Sequence, residues 1–157
     1  MYNLIQKLYP ICRSITGNGV RDSLNIIREH IPINIKEISS GTNAYDWKIP
    51  DEWNIRDAYV KNSKGDKIID LKKHNLHIVS YSEQINIQLT YNELIKHINT
   101  LPEYPDWIPY RTSYYKKTWG FCMKHKDFLK LDKNDIKKIY IDSKFTKGYL
   151  TYADLII

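Results

Sequence analysis

Four side chains able to hold a metal come in two pairs with the same spacing, His74 with His77 and Cys122 with His125. Together they have the residue types of a Cys/His zinc site. Residues three apart on a strand point to opposite faces, however, so neither pair chelates unless a turn intervenes. The plainer expectation is a surface His77 and a buried structural Cys122. Gly17-Asn18-Gly19 invites comparison with a phosphate loop, but the dinucleotide fingerprint needs a third glycine where this chain has Asp22, and it follows a strand. No P-loop, G-x-S-x-G elbow or H-E-x-x-H motif is present. The many Ser, Asp and His residues lack the strand-turn setting that a nucleophile wants.

Arginine and aromatic residues carry more information. Arg13, Arg21, Arg56 and Arg111 supply the planar fork that anion recognition uses, although structural pairing with Asp22, Asp46 or Asp57 is the commoner use of such residues. Thirteen Tyr and four Trp stand beside three Phe, a bias of the kind that codon usage in an AT-rich genome also produces. The lysines at 116–117, 124–130 and 133–138 lie near Tyr114, Tyr115 and Trp119, a combination that can stack bases and neutralise phosphates. A net charge of +6 is modest for 157 residues, and such lysines usually form a solvated face, so nucleic acid is not the expected partner. A ligand site in this chain is expected around Arg13, Arg56, Tyr114, Tyr115 and Trp119. The competing expectation is that Trp53 and Trp119 are core.

These residues must be positioned by elements legible from periodicity. A short helix is predicted over 2–9 and ends at Pro10; a second runs over 18–31, with Val20, Leu24, Ile27 and Ile31 on one face and Asn18 as cap, ending at Pro32. A strand follows at 33–38. From Ser39 the texture changes to Trp, Tyr, Pro and Asp. Residues 57–70 read as two strands joined at Asn62-Ser63-Lys64-Gly65, and 76–81 as another strand. Thr90 with Glu93 makes a capping box, and Leu89 with Leu94 a hydrophobic staple, for a helix ending before Pro102. Pro102, Pro105 and Pro109 imply an extended connector. Strands are predicted again at 113–123, 137–142 and 149–157.

Hydrophobic residues at 42% and charged residues at 27% describe an ordinary globular chain, too short for a barrel enzyme or a two-domain dehydrogenase. No apolar run approaches the ~20 residues of a membrane helix. With two distant cysteines and no leader-like segment in MYNLIQKLYP, the expected location is cytoplasmic.

Several stretches together resemble one family. They are Leu8-Tyr9-Pro10-Ile11-Cys12-Arg13-Ser14-Ile15-Thr16-Gly17 with Gly19 and Arg21, Ser40-Gly41-Thr42, Asp46-Trp47, Pro50, and 52–59 from Glu52 to Tyr59. They continue through Val79-Ser80-Tyr81-Ser82, Leu101-Pro102, Pro109-Tyr110, Thr112-Ser113-Tyr114-Tyr115 and Trp119-Gly120-Phe121-Cys122. The family is the bacterial aminopeptidase-like proteins, which are similar to di-zinc exopeptidases, carry an inserted β-rich domain of unknown function, and often occur among surface-polysaccharide genes.

The resemblance implies an α+β fold: residues 1–44 start a peptidase-like α/β layer with N-terminal helices and an edge strand, 45–145 form the inserted β-rich domain, and 146–157 return to the peptidase-like sheet. In the family the zinc ligands follow the strand matched by 150–157, where this chain stops, so no metal residue carries over to it. Zinc is expected in full-length relatives and no cofactor in this chain. The leading expectation is therefore an N-terminal portion that is not catalytic alone, with a binding module for a sugar or peptide, or one half of a split peptidase, as alternatives. The expected partners are the remainder of the peptidase domain in trans, or a second copy through the apolar run Leu155-Ile156-Ile157.

Overall fold

A proline ring cannot donate the N–H that a helix interior requires, and Pro10 and Pro32 accordingly lie beyond the ends of the first two helices. In the computed structural model, which describes residues 1–156, α1 spans Tyr2–Leu8 and α2 spans Asn18–Arg28. The chain divides into two compact units, Met1–Asn54 with Lys144–Ile157, and Ile55–Ser143. No helix among the described residues is long and apolar enough to cross a membrane.

In the first unit, β1 (Asn34–Ser39) pairs antiparallel with β10 (Tyr149–Asp154), from Asn34 opposite Asp154 to Ser39 opposite Tyr149. The strand expected at 149–157 is thus present through Asp154, and Ile157 lies outside the described residues. A small hairpin, β2 (Asn43–Ala44) with β3 (Trp47–Lys48), precedes β4 (Glu52–Lys61). The cap of α2 is Gly17 rather than Asn18. Gly17 has φ +88°, and a Cβ there would lie 2.3 Å from the carbonyl oxygen of Trp53, so only glycine lets the helix start so close to β4. Asn54 then does the capping: its Oδ1 accepts the N–H of Asn18 at 2.7 Å. The helix ends three residues before Ile31, where the N–H groups of His30 and Ile31 both turn onto the carbonyl of Ile27.

One guanidinium joins α2 to the strands of this unit. Arg21 donates through Nε to Glu37 of β1 at 2.8 Å and through both Nη atoms to the buried Glu52 of β4. Glu52 also accepts the N–H of Tyr149 at 2.8 Å, and Glu37 accepts the hydroxyl of Thr151 at 2.9 Å. Hydrogen bonding to Arg21 holds both carboxyls below the ordinary glutamate range.

In the second unit a four-stranded sheet has the order β5 (Lys67–Asp70), β4, β9 (Lys137–Thr146), β6 (Ile85–Leu89). The β4–β5 hairpin is the predicted one, its loop closed by reciprocal bonds between Asn62 and Asp66. Ala58 and Val60 of β4, Ile69 of β5, and Ile139 and Ile141 of β9 face the core with Leu94 and Phe121. The alternation that buries them also turns Lys137 inward, where its ammonium finds the carbonyls of Asp132 and Asp135 and the Asp135 carboxylate at 2.8 Å. Lys137 and two bonds from Ser63 hold the Asp135 carboxyl down at about 2.

Several elements differ from expectation. Residues 76–81 are not a strand: the His74 ring accepts the N–H of Leu76 and closes a 3₁₀ turn at Asn75–His77, leaving isolated bridges at Ile78 and Ser80. β6 lies outside the predicted strands although Ile85, Ile87 and Leu89 alternate with Asn86 and Gln88; it is an edge strand whose central Ile87 is 40% exposed. The capping box of Thr90 and Glu93 forms, but its helix, α3, is the single turn Tyr91–Leu94. A 3₁₀ turn follows, and then β7 (Ile98–Asn99), whose parallel pairing with β8 (Phe121–Cys122) draws the backbone out of the helix. Only Phe121 and Cys122 of the strand expected at 113–123 are in a strand, and α4 (His125–Phe128) follows.

Removing the guanidinium in Arg21→Ala leaves a buried carboxylate without its cation and is expected to lower the unfolding free energy by about 2 kcal/mol, measured by urea denaturation at pH 7. Because Glu37 and Glu52 titrate lower in the folded chain, their contribution is complete above the unfolded value of ~4.3 and disappears as pH falls through the folded values. The acid loss should therefore be shallower in Arg21→Ala than in the parent chain.

Candidate functional site

Tyr81 is one of two non-glycine residues with positive φ among those described, at +67°, and it is 3% exposed. A buried aromatic residue in the left-handed region persists only where its surroundings determine it. Here they do. Ser80 N–H donates to Arg111 O, Ser113 N–H and Oγ to Ser80 O, Val79 N–H to Gly120 O, and Glu83 N–H to Thr118 O. Ser82 Oγ donates to Val79 O at 2.6 Å and accepts the N–H of Gly120 at 3.1 Å. Ser143 Oγ on β9 donates to Ser82 O at 2.7 Å. Residues 79–83 thus fasten the 111–120 loop to the sheet with few strand residues.

That loop presents the aromatic residues singled out from the sequence. Tyr114 and Tyr115 are in ring contact, centroids 4.4 Å apart, and the Tyr114 ring meets Tyr81 edge to face at 5.8 Å. Tyr115 is 75% exposed. Trp119 turns the other way: its ring lies flat on His97, 3.7 Å between centroids and 7° between planes, and edge-on to buried Phe121. His97 Nδ1–H donates to the Trp119 carbonyl at 3.1 Å, which locks the stack. Trp53 is buried core at 3% exposure.

The two arginines are engaged elsewhere. Arg56 makes a bidentate pair with Asp142 across β4 and β9, at 2.8 and 2.7 Å. Arg13 belongs to the first unit, where Nη1 donates to Leu8 O and to Ser23 Oγ. The structure thus gathers Tyr114 and Tyr115, adds Tyr81 to them, places Trp119 against His97, and assigns each arginine to an intramolecular acceptor. Nothing in the sequence singles out Tyr81 and Ser82 beyond their place in Val79-Ser80-Tyr81-Ser82, one of the stretches that carry the family resemblance. A Ser-Tyr-Ser run bounded by no turn residue gives no local sign of positive φ.

The imidazoles are hydrogen-bonded separately. His77 Nδ1–H donates to Cys122 O at 2.7 Å, and His125 Nδ1 is bonded to Thr100 Oγ1 at 3.0 Å. Burial lowers the pKa of both His74 and His77. Cys122 is fully buried, and burial pushes its thiol up to about 12 and that of Cys12 up to about 11. Among the described residues no group of three or more His, Cys, Asp or Glu side chains is placed to hold a metal.

Ser82→Ala removes the acceptor of a buried N–H and the donor to a buried carbonyl, and is expected to cost about 2 kcal/mol. Trypsin should then cleave faster at Lys116 or Lys117 in the loop it fastens, as read by mass spectrometry. The raised thiol pKa values predict that at pH 8 neither cysteine reacts with a disulfide reagent at the rate seen in guanidinium, because the thiolate fraction is small in the folded chain.

The chain is 52% identical over its whole length to a protein of Clostridium acetobutylicum named "Putative polysaccharide biosynthesis protein with aminopeptidase-like domain", and spans 36% of that protein. A crystal structure from Clostridium acetobutylicum, described as that of a "putative peptidase", superimposes with a TM-score of 0.90 at 53% identity, covering 97% of this chain and 36% of the other. The match corresponds to the N-terminal portion of the relative. Residues 52–144 match the family described as "Domain of unknown function (DUF2172)", and the chain belongs to that family.

Proposed function

We propose that this chain is the N-terminal portion of an aminopeptidase-like protein and catalyses no hydrolysis until joined by the remainder. The observation that carries this reading is the sheet formed by β1 and β10. A two-stranded sheet is marginal by itself, and β1 pairs with no second strand among the described residues. Tyr149 and Tyr152 of β10 are 45% and 39% exposed, and Leu155 beyond it 41%. The open edge of β1, where Ile35 and Ile38 are half-buried, is a template for another strand. On this reading the added strand comes from the part of such a protein that this chain, which spans 36% of its relatives, does not include.

Chemistry supports the same division of labour. Metal-assisted peptide hydrolysis uses three protein ligands per zinc and a general base. The His and Cys side chains described above are each committed to a separate bond or buried, so the ligands would come from the remainder. Where that remainder is a separate chain, the protein is one half of a split peptidase.

The test is to assay the chain alone, the remainder of the relative alone, and the two together for zinc content and for release of leucine from leucine amide. The chain alone is expected to bind no stoichiometric zinc and release nothing. The mixture should hydrolyse the amide and slow hydrogen exchange at residues 34–39. Chelator-sensitive hydrolysis by the chain alone, or exchange at 34–39 unchanged by the remainder, overturns the reading.

A further inference from the structure

Leu101-Pro102-Glu103-Tyr104-Pro105-Asp106-Trp107 contains the same three-residue pattern twice, proline, acid, aromatic. Proline at the second position of a β-turn presets its φ, and the segment folds accordingly. Tyr104 N–H donates to Leu101 O at 3.1 Å and Trp107 N–H to Tyr104 O at 2.9 Å, so two turns run in tandem instead of the extended connector predicted. The turns bring the aromatic residues together. The rings of Tyr104 and Trp107 stack, with centroids 4.5 Å apart and planes 13° from parallel. The loop is held down where Lys126 N–H donates to Pro105 O at 3.1 Å and the Lys126 ammonium pairs with Asp106.

The pair is nevertheless outside the core. Tyr104 is 50% exposed and Trp107 60%. Each ring covers one face with the other, and half or more of each residue stays open to solvent. A rigid exposed indole flanked by a carboxylate and an ammonium is a preorganised surface for a ligand with one flat apolar side and polar groups around its rim.

We propose that Tyr104 and Trp107 form a carbohydrate-binding platform, in which the C–H face of a pyranose lies on Trp107 and Asp106 and Lys126 hydrogen-bond its hydroxyls. A proline ligand would need a slot between rings, and here the two rings fill that space themselves. The Asp106 carboxylate next to the indole accepts a sugar hydroxyl and repels a nucleotide phosphate. The site is separate from the Tyr114–Tyr115 contact and uses none of the chemistry assigned to the peptidase reading.

The probes are cellotetraose, chitotetraose and tetragalacturonate, neutral, N-acetylated and acidic, titrated into the isotopically labelled chain. Its four tryptophans give four indole N–H signals. With at least one probe the Trp107 signal is expected to shift saturably while that of buried Trp53 stays fixed. Trp107→Ala and Tyr104→Ala should each weaken binding at least threefold, about the value of one aromatic contact, while Tyr104→Phe retains it. A Trp107 signal unmoved by all three at ~10 mM, one moved more by uridine monophosphate, or one moved only by raising the protein concentration overturns the proposal. So does a platform that ignores the saccharides and is covered when the remainder of the relative binds, a result that would leave the peptidase reading intact.

Discussion

Buried N–H and C=O groups must be paired, and in the second unit much of the chain leaves the sheet before its backbone is covered. The Ser82 hydroxyl resolves this at the critical place. By donating a hydrogen bond to Val79 O and accepting one from Gly120 N–H, it closes a turn on itself and joins that turn to the 111–120 loop. Ser143 then ties Ser82 to β9. Every aromatic residue the loop displays depends on this small set of bonds: Tyr114 rests on Tyr81, whose positive φ is enforced by the same contacts, and Trp119 is set against His97 just before Gly120.

The first unit solves a similar problem with charge. Glu52 is 7% exposed, and a carboxylate so enclosed persists only with a strong donor set. Arg21 supplies two donors and Tyr149 N–H a third. Helix α2, β1, β4 and β10 are thereby referred to one point. Gly148 belongs to the same arrangement, since a Cβ there would lie 2.4 Å from the Glu52 carboxyl carbon. Such buried pairs are weak contributors to net stability and better at fixing register. That suits a sheet of two strands, which has few cross-strand pairs to fix its own.

Elements whose residues repeat with a clear period were legible: α2 from Val20, Leu24 and Ile27, β9 from Ile139 and Ile141, the β4–β5 hairpin from its Asn-to-Gly loop, and the box of Thr90 and Glu93. β6, where Ile85, Ile87 and Leu89 alternate with Asn86 and Gln88, carries the same kind of signal without being among the predicted strands, and the other elements that escaped are defined by a distant partner. Nothing in Ile98–Asn99 announces that Phe121–Cys122 will lie alongside, and nothing in His97 announces Trp119, 22 residues on. Tyr114 and Tyr115 were expected in one site, but the strand predicted over 113–123 would have turned them to opposite faces, so their ring contact, like the commitment of Arg56 to Asp142, depends on the rest of the chain. The Pro102–Trp107 segment differs again, because its signal was local and visible. Three prolines suggested extension, but a proline every third residue before an acid and an aromatic is also the pattern of successive turns, and the turns prevail.

The second unit has another property when considered by itself. It begins at Ile55 on β4 and finishes at Ser143 on β9, and these strands are neighbours in its sheet, joined by the Arg56–Asp142 pair and the stacked rings of Tyr59 and Tyr140. Neighbouring strands are about 4.8 Å apart. Eighty-nine residues, 55 to 143, therefore leave and return through nearly the same point. For the chain on either side, such an excursion is topologically a hairpin bend, whatever its contents. Lengthening it changes the closure entropy only logarithmically, so its displayed loops can grow or shrink without stretching the two strands that frame it.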